Sequence, residues 1–133
     1  MARTPEVKSF LVADMVIQEK VTNKWSVVGI FDQVLAPKFP TARSGVGLYV
    51  KLADAEGRYK VRIEFRDSED TVLAKMEGLE LTTNGPVRTL DFGVPIQFLH
   101  LPKPGTYHFQ LFLNDELAQM AALHAVQAMS PPG

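Results

Sequence analysis

The clearest pattern along the chain is a strict alternation of apolar and charged residues over positions 58–67. Side chains on a strand point alternately to its two faces, so this period predicts a strand with one face in the core and one in water. The apolar positions are Tyr59, Val61, Ile63 and Phe65, and the charged positions between them are Lys60, Arg62, Glu64 and Arg66.

Further strands are predicted where apolar residues recur at every second position between turn residues. Such segments cover positions 46–53, 72–81, 87–98 and 107–113. In the second of these, the apolar phase changes from even to odd positions across Gly78, which predicts a β-bulge there. Pro95 cannot donate a ladder hydrogen bond, so the third segment is predicted to lie at a sheet edge or to be interrupted.

Two other segments are apolar on both faces. One begins at Trp25, covers positions 25–36 and ends at Pro37, and the other covers positions 7–18. Apolar residues on both faces are typical of a strand that is covered on both sides. We therefore expect the strand at 25–36 to form the centre of the core.

The last segment, at positions 116–129, is ambiguous. Its alanine, leucine, methionine and glutamine residues are good helix formers, so composition favours a helix. However, Asn114 and Asp115 form a two-residue connection directly after a clearly predicted strand, which is typical of a hairpin. Because long-range pairing often overrides local propensity, we predict a strand.

About eight strands joined by short turns, with no predicted helix, indicate an all-β protein. We predict an antiparallel β-sandwich that is immunoglobulin-like in architecture. The chain of 133 residues fits one domain, 1–133, in which 1–6 and 130–133 are expected to be frayed tails. Each strand of a two-layer sandwich has one outer face, so the strands that are apolar on both faces suggest a homodimer.

Composition narrows the range of partners and sites. With 14 basic and 15 acidic residues the formal net charge is −1, so no net positive field draws the protein to nucleic acid or to an anionic membrane. The chain has no cysteine, which excludes disulfides, thiol catalysis and cysteine-ligated metal. The first apolar run contains Asp14 and is too short to span a bilayer or to act as a secretory signal, so we expect a cytoplasmic protein.

No group of residues has the pattern of a catalytic or metal site. His100 and His108 flank a loop and could face one another in a hairpin, but two histidines make an incomplete zinc site. The acidic turns at 54–56 and 67–70 lie at opposite ends of one predicted strand, so they do not combine into a calcium site. We therefore predict no metal, no cofactor and no enzymatic activity.

Asp14 and Asp32 interrupt apolar strands. A buried carboxylate without a partner is unfavourable, so each is expected to bond to a turn amide or an arginine, or to mark a strand end. Trp25, Tyr49 and Tyr107 could stack against a sugar, although a single tryptophan in an apolar strand is more often part of the core.

Several motifs resemble a family of small uncharacterised bacterial proteins. They are Val-Val-Gly-Ile-Phe-Asp-Gln-Val at 27–34, Ala-Pro-Lys-Phe-Pro at 36–40, Val-Arg-Ile-Glu-Phe-Arg-Asp at 61–67 and Pro-Gly-Thr-Tyr-His-Phe at 104–109. The likeness covers residues 8–126 and implies a β-sandwich in which the last segment is a strand. The family has no assigned activity, so the resemblance implies no functional residue.

The function we predict is that of a non-enzymatic protein-interaction or scaffold module with an unidentified protein partner. The alternative is a small-ligand or carbohydrate-binding module that uses loops at one end of the sandwich. Loops on a rigid sandwich commonly carry binding sites, so the candidate residues lie in and beside two proline-rich loops. These residues are Pro37, Lys38, Phe39, Pro40 and Arg43 in the first region and Pro102, Lys103 and Pro104 in the second.

Overall fold

The computed structural model describes residues 2–128, which form nine β-strands and no helix. The strands are β1 (Glu6–Gln18), β2 (Trp25–Ile30), β3 (Gln33–Ala36), β4 (Thr41–Ala55), β5 (Arg58–Arg66), β6 (Val72–Thr82), β7 (Val87–Leu101), β8 (Gly105–Leu113) and β9 (Glu116–Gln127). They form a four-stranded sheet of order β2-β1-β4-β7 and a five-stranded sheet of order β3-β9-β8-β5-β6. Neighbouring strands are antiparallel, except that β3 runs parallel to β9. The predicted all-β sandwich is confirmed, and the tail expected at 130–133 lies outside the described residues.

The core lies between β4 of one sheet and β5 and β8 of the other. The apolar positions of the alternating pattern in β5 are buried, as predicted. Phe65 is central to this core, since its ring stacks on Tyr107 at a centroid distance of 5.3 Å and contacts Phe109 at 4.7 Å. The largest fully buried side chains include Tyr59, Tyr107, Phe65, Phe109, Leu48, Leu52, Ile63, Leu101, Leu111 and Leu123.

Three details predicted from the sequence are confirmed. β6 carries one extra residue relative to β5 at the predicted bulge, where Gly78 has a φ of +98°. The ambiguous last segment is strand β9, and Asn114 and Asp115 join it to β8 with φ angles of +51° and +67°. β7, which contains Pro95, is an edge strand of the four-stranded sheet.

The prediction for residues 25–36 is wrong, because this stretch is two short strands at sheet edges rather than the centre of the core. β2 pairs with β1 in one sheet, and β3 pairs with β9 in the other. The chain changes sheets at Phe31 and Asp32: the Phe31 amide donates to the Val12 carbonyl in β1, and the Asp32 carbonyl accepts from the His124 amide in β9. This division also accounts for nine strands where about eight were expected.

The connection from β4 to β5 at residues 54–57 crosses between the sheets, so these two strands do not form a hairpin. The Tyr59 hydroxyl fastens this corner, because it donates to the Arg3 carbonyl at 2.5 Å and accepts from the Glu56 amide at 2.8 Å. The Arg3 amide donates to the Glu56 carbonyl at 2.8 Å. The start of the chain, where we expected residues 1–6 to fray, is therefore bonded to the corner at Arg3.

The connection from β7 to β8 also crosses between the sheets, so His100 and His108 do not face one another in a hairpin. Here the Tyr107 hydroxyl donates to the Lys103 carbonyl at 2.5 Å and accepts from the Lys103 amide at 3.1 Å. A tyrosine that bonds back to the loop before its own strand is the tyrosine corner of immunoglobulin folds. The sandwich is immunoglobulin-like, as predicted.

Candidate functional site

The β1–β2 ribbon is the part of the fold where several of the singled-out residues come together. β1 pairs with β4 as far as Ala13 and from there on with β2, in an antiparallel register that sets Met15 opposite Val28. We define the ribbon as residues 13–18 of β1 and 25–30 of β2. Residues opposite one another in such a pair lie on the same face, so the ribbon has one side toward the sheet and one side away from it.

Two glycines of the four-stranded sheet make room for the ribbon. A Cβ atom at Gly47 in β4 would lie 2.8 Å from the Val16 amide nitrogen, and one at Gly93 in β7 would lie 2.5 Å from the Trp25 ring. Both distances are too short for real Cβ contacts, so the inner side of the ribbon rests directly on the backbone of β4 and β7. Trp25 packs on the outside of this sheet and not in the core between the two sheets.

An ion pair and a stacked ring hold the ribbon at the point where β1 leaves β4. Arg43 in β4 donates a hydrogen bond to Asp14, and its guanidinium lies 4.0 Å from the centre of the Phe31 ring. Asp14 lies against Gly29, which has a φ of +70° and no side chain to obstruct the carboxylate. Asp14 thus meets an arginine and Asp32 marks a strand end, as expected for carboxylates that interrupt apolar strands.

The outer side of the ribbon is apolar and, apart from Ala13, where β1 still pairs with β4, exposed. It carries Met15, Ile17, Val28 and Ile30, which are 50%, 47%, 48% and 63% exposed. Contiguous apolar patches on a protein surface commonly mark interaction sites. The expectation that this region is covered on both sides is therefore wrong for the outer side of the ribbon, as far as residues 2–128 are concerned.

The two proline-rich loops predicted to bind a partner lie at one end of the sandwich. Thr41 is opposite Leu101 in the β4–β7 pairing, which places the first loop beside the second. Arg43 is separate from them, because it lies within β4 and pairs with the ribbon. The residues brought to this end are Pro37, Lys38, Phe39 and Pro40 with Pro102, Lys103 and Pro104.

A charged network on the outer face of the five-stranded sheet was missed by sequence reasoning. The Glu64 side chain is only 9% exposed and accepts hydrogen bonds from Arg62 at 2.9 Å and from Arg66 at 3.0 Å. These bonds, those from Arg66 first, hold the pKa of Glu64 below its usual range. Both guanidinium groups lie over the Phe112 ring, at 4.2 Å and 6.0 Å from its centre. The network connects β5 with β8, because the arginines and Glu64 belong to β5 and Phe112 belongs to β8. The Glu64 carboxylate is paired with both arginines and is therefore not free to act as an acid or a base.

The remaining candidates for chemistry do not assemble into a site. Tyr107 is buried and Trp25 packs on Gly93, so these rings and Tyr49 do not form a platform for a sugar. Burial raises the pKa of Tyr49 to about 12, and its hydrogen bond to Asp91 at 2.6 Å adds to the shift. Within the described part of the chain, no three His, Cys, Asp or Glu side chains are grouped to hold a metal ion. No described helix has the length and hydrophobicity needed to cross a bilayer.

A cleft of about 470 Å³ lies at the end of the sandwich away from the proline-rich loops. The N-terminal residues 2–5 and the β8–β9 hairpin form its walls, and Tyr59 and Leu117 contribute to the lining. Its volume is in the range of small-ligand sites. It is the structural feature that a ligand-binding function would use.

Comparison with known proteins identifies the family of this chain. The model of a family described as "Family of unknown function (DUF6941)" matches residues 8–126. The chain belongs to this family. The match agrees with the resemblance found in the Gly-Ile-Phe-Asp and Pro-Gly-Thr-Tyr motifs, and membership assigns no activity to any residue.

Among solved structures, an immunoglobulin-like protein from Pseudomonas aeruginosa is similar to this member of the family. The two share 12% sequence identity and a TM-score of 0.44, with 93% of this chain and 98% of the other chain covered. No curated protein matches the sequence. The sheet order and the tyrosine corner are the features that make the sandwich immunoglobulin-like.

Proposed function

We propose that the protein is a non-enzymatic protein-interaction module and that the outer side of the β1–β2 ribbon binds its protein partner. The observation that carries this proposal is the exposed apolar cluster of Met15, Ile17, Val28 and Ile30. Covering these side chains with a partner would remove apolar surface from water, which stabilises a complex by roughly 25 cal/mol per Å².

The ribbon is suited to binding because it is held in place by the rest of the fold. Its inner side rests on the two glycine positions of the sheet below it, and Asp14 is paired with Arg43 at its base. A surface that is already ordered loses little conformational entropy when a partner binds, so more of the contact energy is left as affinity.

The chemistry of the surface favours an apolar protein surface as its partner. None of the four exposed side chains carries a charge, and Ser26, on the same face opposite Ile17, adds a small polar group. A formal net charge of −1 supports a protein partner over nucleic acid or an anionic membrane. A cytoplasmic location and a bacterial source stay predictions from the sequence.

The test compares the proteins captured by three tagged forms from a lysate of the source organism. One form is the wild type, and one carries Met15→Lys with Val28→Lys on the ribbon. The matched control carries Val72→Lys with Leu79→Lys, since these β6 residues are also apolar and 45% and 40% exposed. Substitutions at such exposed positions change stability little, so all three forms are expected to fold.

The proposal predicts a protein that the wild type and the β6 control recover in equal amounts and that the ribbon variant does not recover. Titration of that purified protein into each form by calorimetry then shows whether the loss is one of direct binding. Recovery of the same proteins in the same amounts by the ribbon variant would contradict the role of the ribbon.

A small-ligand or carbohydrate-binding module is the second candidate, and the cleft of about 470 Å³ favours it. A ligand that binds the folded protein raises the unfolding temperature by mass action. A thermal-shift screen of sugars and metabolites tests this function, with Leu117→Trp as the variant that fills the cleft. A shift that disappears in the variant would support this candidate, and no shift with any compound would count against it.

A further inference from the structure

The connection between β6 and β7 is the short segment 83–86, which contains Asn-Gly-Pro at positions 84–86. Its first residue is anchored to the rest of the fold, because the Thr83 amide donates to the Gly57 carbonyl at 2.9 Å. The Thr83 hydroxyl also accepts a hydrogen bond from the Gly57 amide at 2.8 Å. The three residues that follow are exposed and belong to neither sheet, so this turn presents its Asn-Gly pair to water.

An asparagine in water can lose its side-chain amide without the help of an enzyme, which makes it one of the thermolabile residues of proteins. The main-chain nitrogen of the next residue attacks the carboxamide carbon, and the amide nitrogen leaves as ammonia. A glycine in the next position favours the attack, because it has no Cβ that would obstruct the approach. The reaction also requires an asparagine side chain that is free to rotate and a following N–H that is not held by a hydrogen bond.

Asn84 meets each of these requirements. Among residues 2–128, none forms a hydrogen bond with the Asn84 side chain or with the Gly85 amide. The space around Gly85 is open, since a Cβ atom built on it would meet no other atom within 4 Å. The carboxamide carbon of Asn84 can therefore be reached by the Gly85 nitrogen without breaking any contact of the fold.

The other two asparagines of the chain are restrained by hydrogen bonds. Both polar atoms of the Asn114 side chain are occupied: Oδ1 accepts from the Lys60 amide at 2.8 Å, and Nδ2 donates to the Arg58 carbonyl at 3.0 Å. At Asn23 the attacking nitrogen would be that of the next residue, and its N–H donates to the Thr22 hydroxyl at 3.3 Å. The fold thus restrains Asn23 and Asn114 and leaves Asn84 free to react.

We propose that Asn84 is a site of spontaneous modification, at which the asparagine is converted to aspartate and isoaspartate through a succinimide. The Gly85 nitrogen loses its proton and forms a bond to Cγ of Asn84, while the bond between Cγ and Nδ2 breaks and ammonia leaves. Water then opens the ring. Attack at Cγ releases the Gly85 nitrogen from the side chain and gives aspartate. Attack at the main-chain carbonyl carbon releases the nitrogen from that carbon and gives isoaspartate.

The conversion changes the charge and the backbone of the turn without disturbing the sheets. Either product adds a carboxylate to a chain whose formal net charge is −1. In isoaspartate the main chain passes through the former side chain and is longer by one carbon. The turn can accommodate this carbon, because the changed bond follows the anchor at Thr83 and lies outside both strands. The β1–β2 ribbon consists of other residues, so the inference is independent of the proposed function.

Incubation of the purified full chain in mildly alkaline buffer, prepared with water that contains heavy oxygen, tests the proposal. Samples taken over several weeks are digested, and mass spectrometry follows the peptide that contains each asparagine and separates its aspartate and isoaspartate forms. Synthetic peptides of residues 19–27, 80–88 and 110–118 give the rate of each site without the fold. The control variant is Asn84→Gln, which keeps a carboxamide on the turn but must close a larger ring and so reacts more slowly.

In the folded protein Asn84 is expected to incorporate heavy oxygen at least about tenfold faster than Asn23 or Asn114, and about as fast as in its own peptide. The more acidic form should separate on anion exchange and should be absent from Asn84→Gln over the same period, with circular dichroism unchanged. Retention of the Asn84 amide in the folded protein while the peptide loses it would overturn the proposal. A folded protein in which Asn84 reacts no faster than Asn114 would overturn it as well.

Discussion

Strand β8 and the stretch formed by β2 and β3 are both rich in apolar residues, but the fold places them differently. In β8, Phe109 and Leu111 are completely buried between the sheets. In β2 and β3, Ile30 and Leu35 are 63% and 62% exposed. The cause is strand order: β8 lies between β5 and β9, whereas β2 and β3 are edge strands of two different sheets.

The comparison shows what an apolar pattern can and cannot specify. Alternation along β5 and β8 defines which face is inward, because a shift by one residue would turn every apolar side chain into water. The stretch at 25–36 has apolar residues on both faces, so its pattern is compatible with a strand covered on both sides. It is equally compatible with strands that leave one apolar side exposed, which is what the structure contains.

The largest expected difference between the two regions is the loss of unfolding free energy when one side chain in each is truncated to alanine. Phe109→Ala should lower the free energy of unfolding by about 3–5 kcal/mol, because a fully buried ring is lost and a cavity remains. Ile30→Ala should change it by no more than about 0.5 kcal/mol, since most of the side chain is already in water. Urea denaturation followed by circular dichroism measures both values. Equal losses would contradict the placement of the ribbon at the surface.

A side chain at the contact between the ribbon and the sheet should have the next largest effect. Gly47→Val places atoms where the Val16 backbone lies, and overpacking of this kind lowers the free energy of unfolding by about 1–3 kcal/mol. Ala42→Val is the matched control, because it enlarges an exposed residue of the same strand and should be tolerated. Urea denaturation measures the stability of both variants. Identical curves would show that the ribbon does not rest on β4.

Removing the central charge of the β5 network should have a moderate and pH-dependent effect. Glu64→Gln takes away the carboxylate shared by two arginines and should lower the free energy of unfolding by about 1–2 kcal/mol at neutral pH. The pKa of Glu64 is lowered in the folded state, so its contribution is complete above the unfolded pKa and is lost as the pH falls through the folded value.

The measurement for this network is the difference in unfolding free energy between wild type and Glu64→Gln as a function of pH. The difference should be constant near neutral pH and shrink below about pH 4.3, the ordinary pKa of a glutamate. A difference that grows on acidification would mean that the carboxylate is not stabilised by its arginine neighbours.

The smallest effect is expected at the tyrosine corner. Tyr107→Phe keeps the buried ring but removes the hydroxyl that bonds to both backbone groups of Lys103, at an expected loss of about 1 kcal/mol in the free energy of unfolding. Thermal unfolding measures this loss. Hydrogen exchange of the Lys103 amide should also become faster in the variant, and an unchanged rate would show that the hydroxyl does not hold the loop.

Much of the sandwich could be predicted from the sequence, because local sequence patterns specify many of its strands and turns. The alternation in β5 and β8, the phase change at Gly78 and the two-residue turn before β9 each reflect chemistry between near neighbours. The resemblance to the family also led to the right fold. The homodimer, the protein partner and the absence of enzymatic activity stay predictions.

The candidate site was harder to predict, since it depends on residues far apart in the chain. The ribbon needs Gly47 and Gly93, from two other strands, to lie beneath it, and nothing in the local sequence of the ribbon indicates this. Arg43 was singled out as part of a loop, whereas its position in β4 pairs it with Asp14. The charged network could have been predicted from the position of Glu64 between Arg62 and Arg66 on one face of β5.

The most direct test of the open side of the ribbon uses cysteine labelling, because the chain has no cysteine of its own. Ile30→Cys and Val34→Cys place one thiol at an exposed and one at a buried position of the same stretch. The thiol of Ile30→Cys is expected to react with a maleimide about as fast as in the unfolded protein, while that of Val34→Cys is expected to be strongly protected. Equal protection of both thiols in the folded protein would contradict the exposure of the ribbon and would mean that residues 25–36 are covered on both sides.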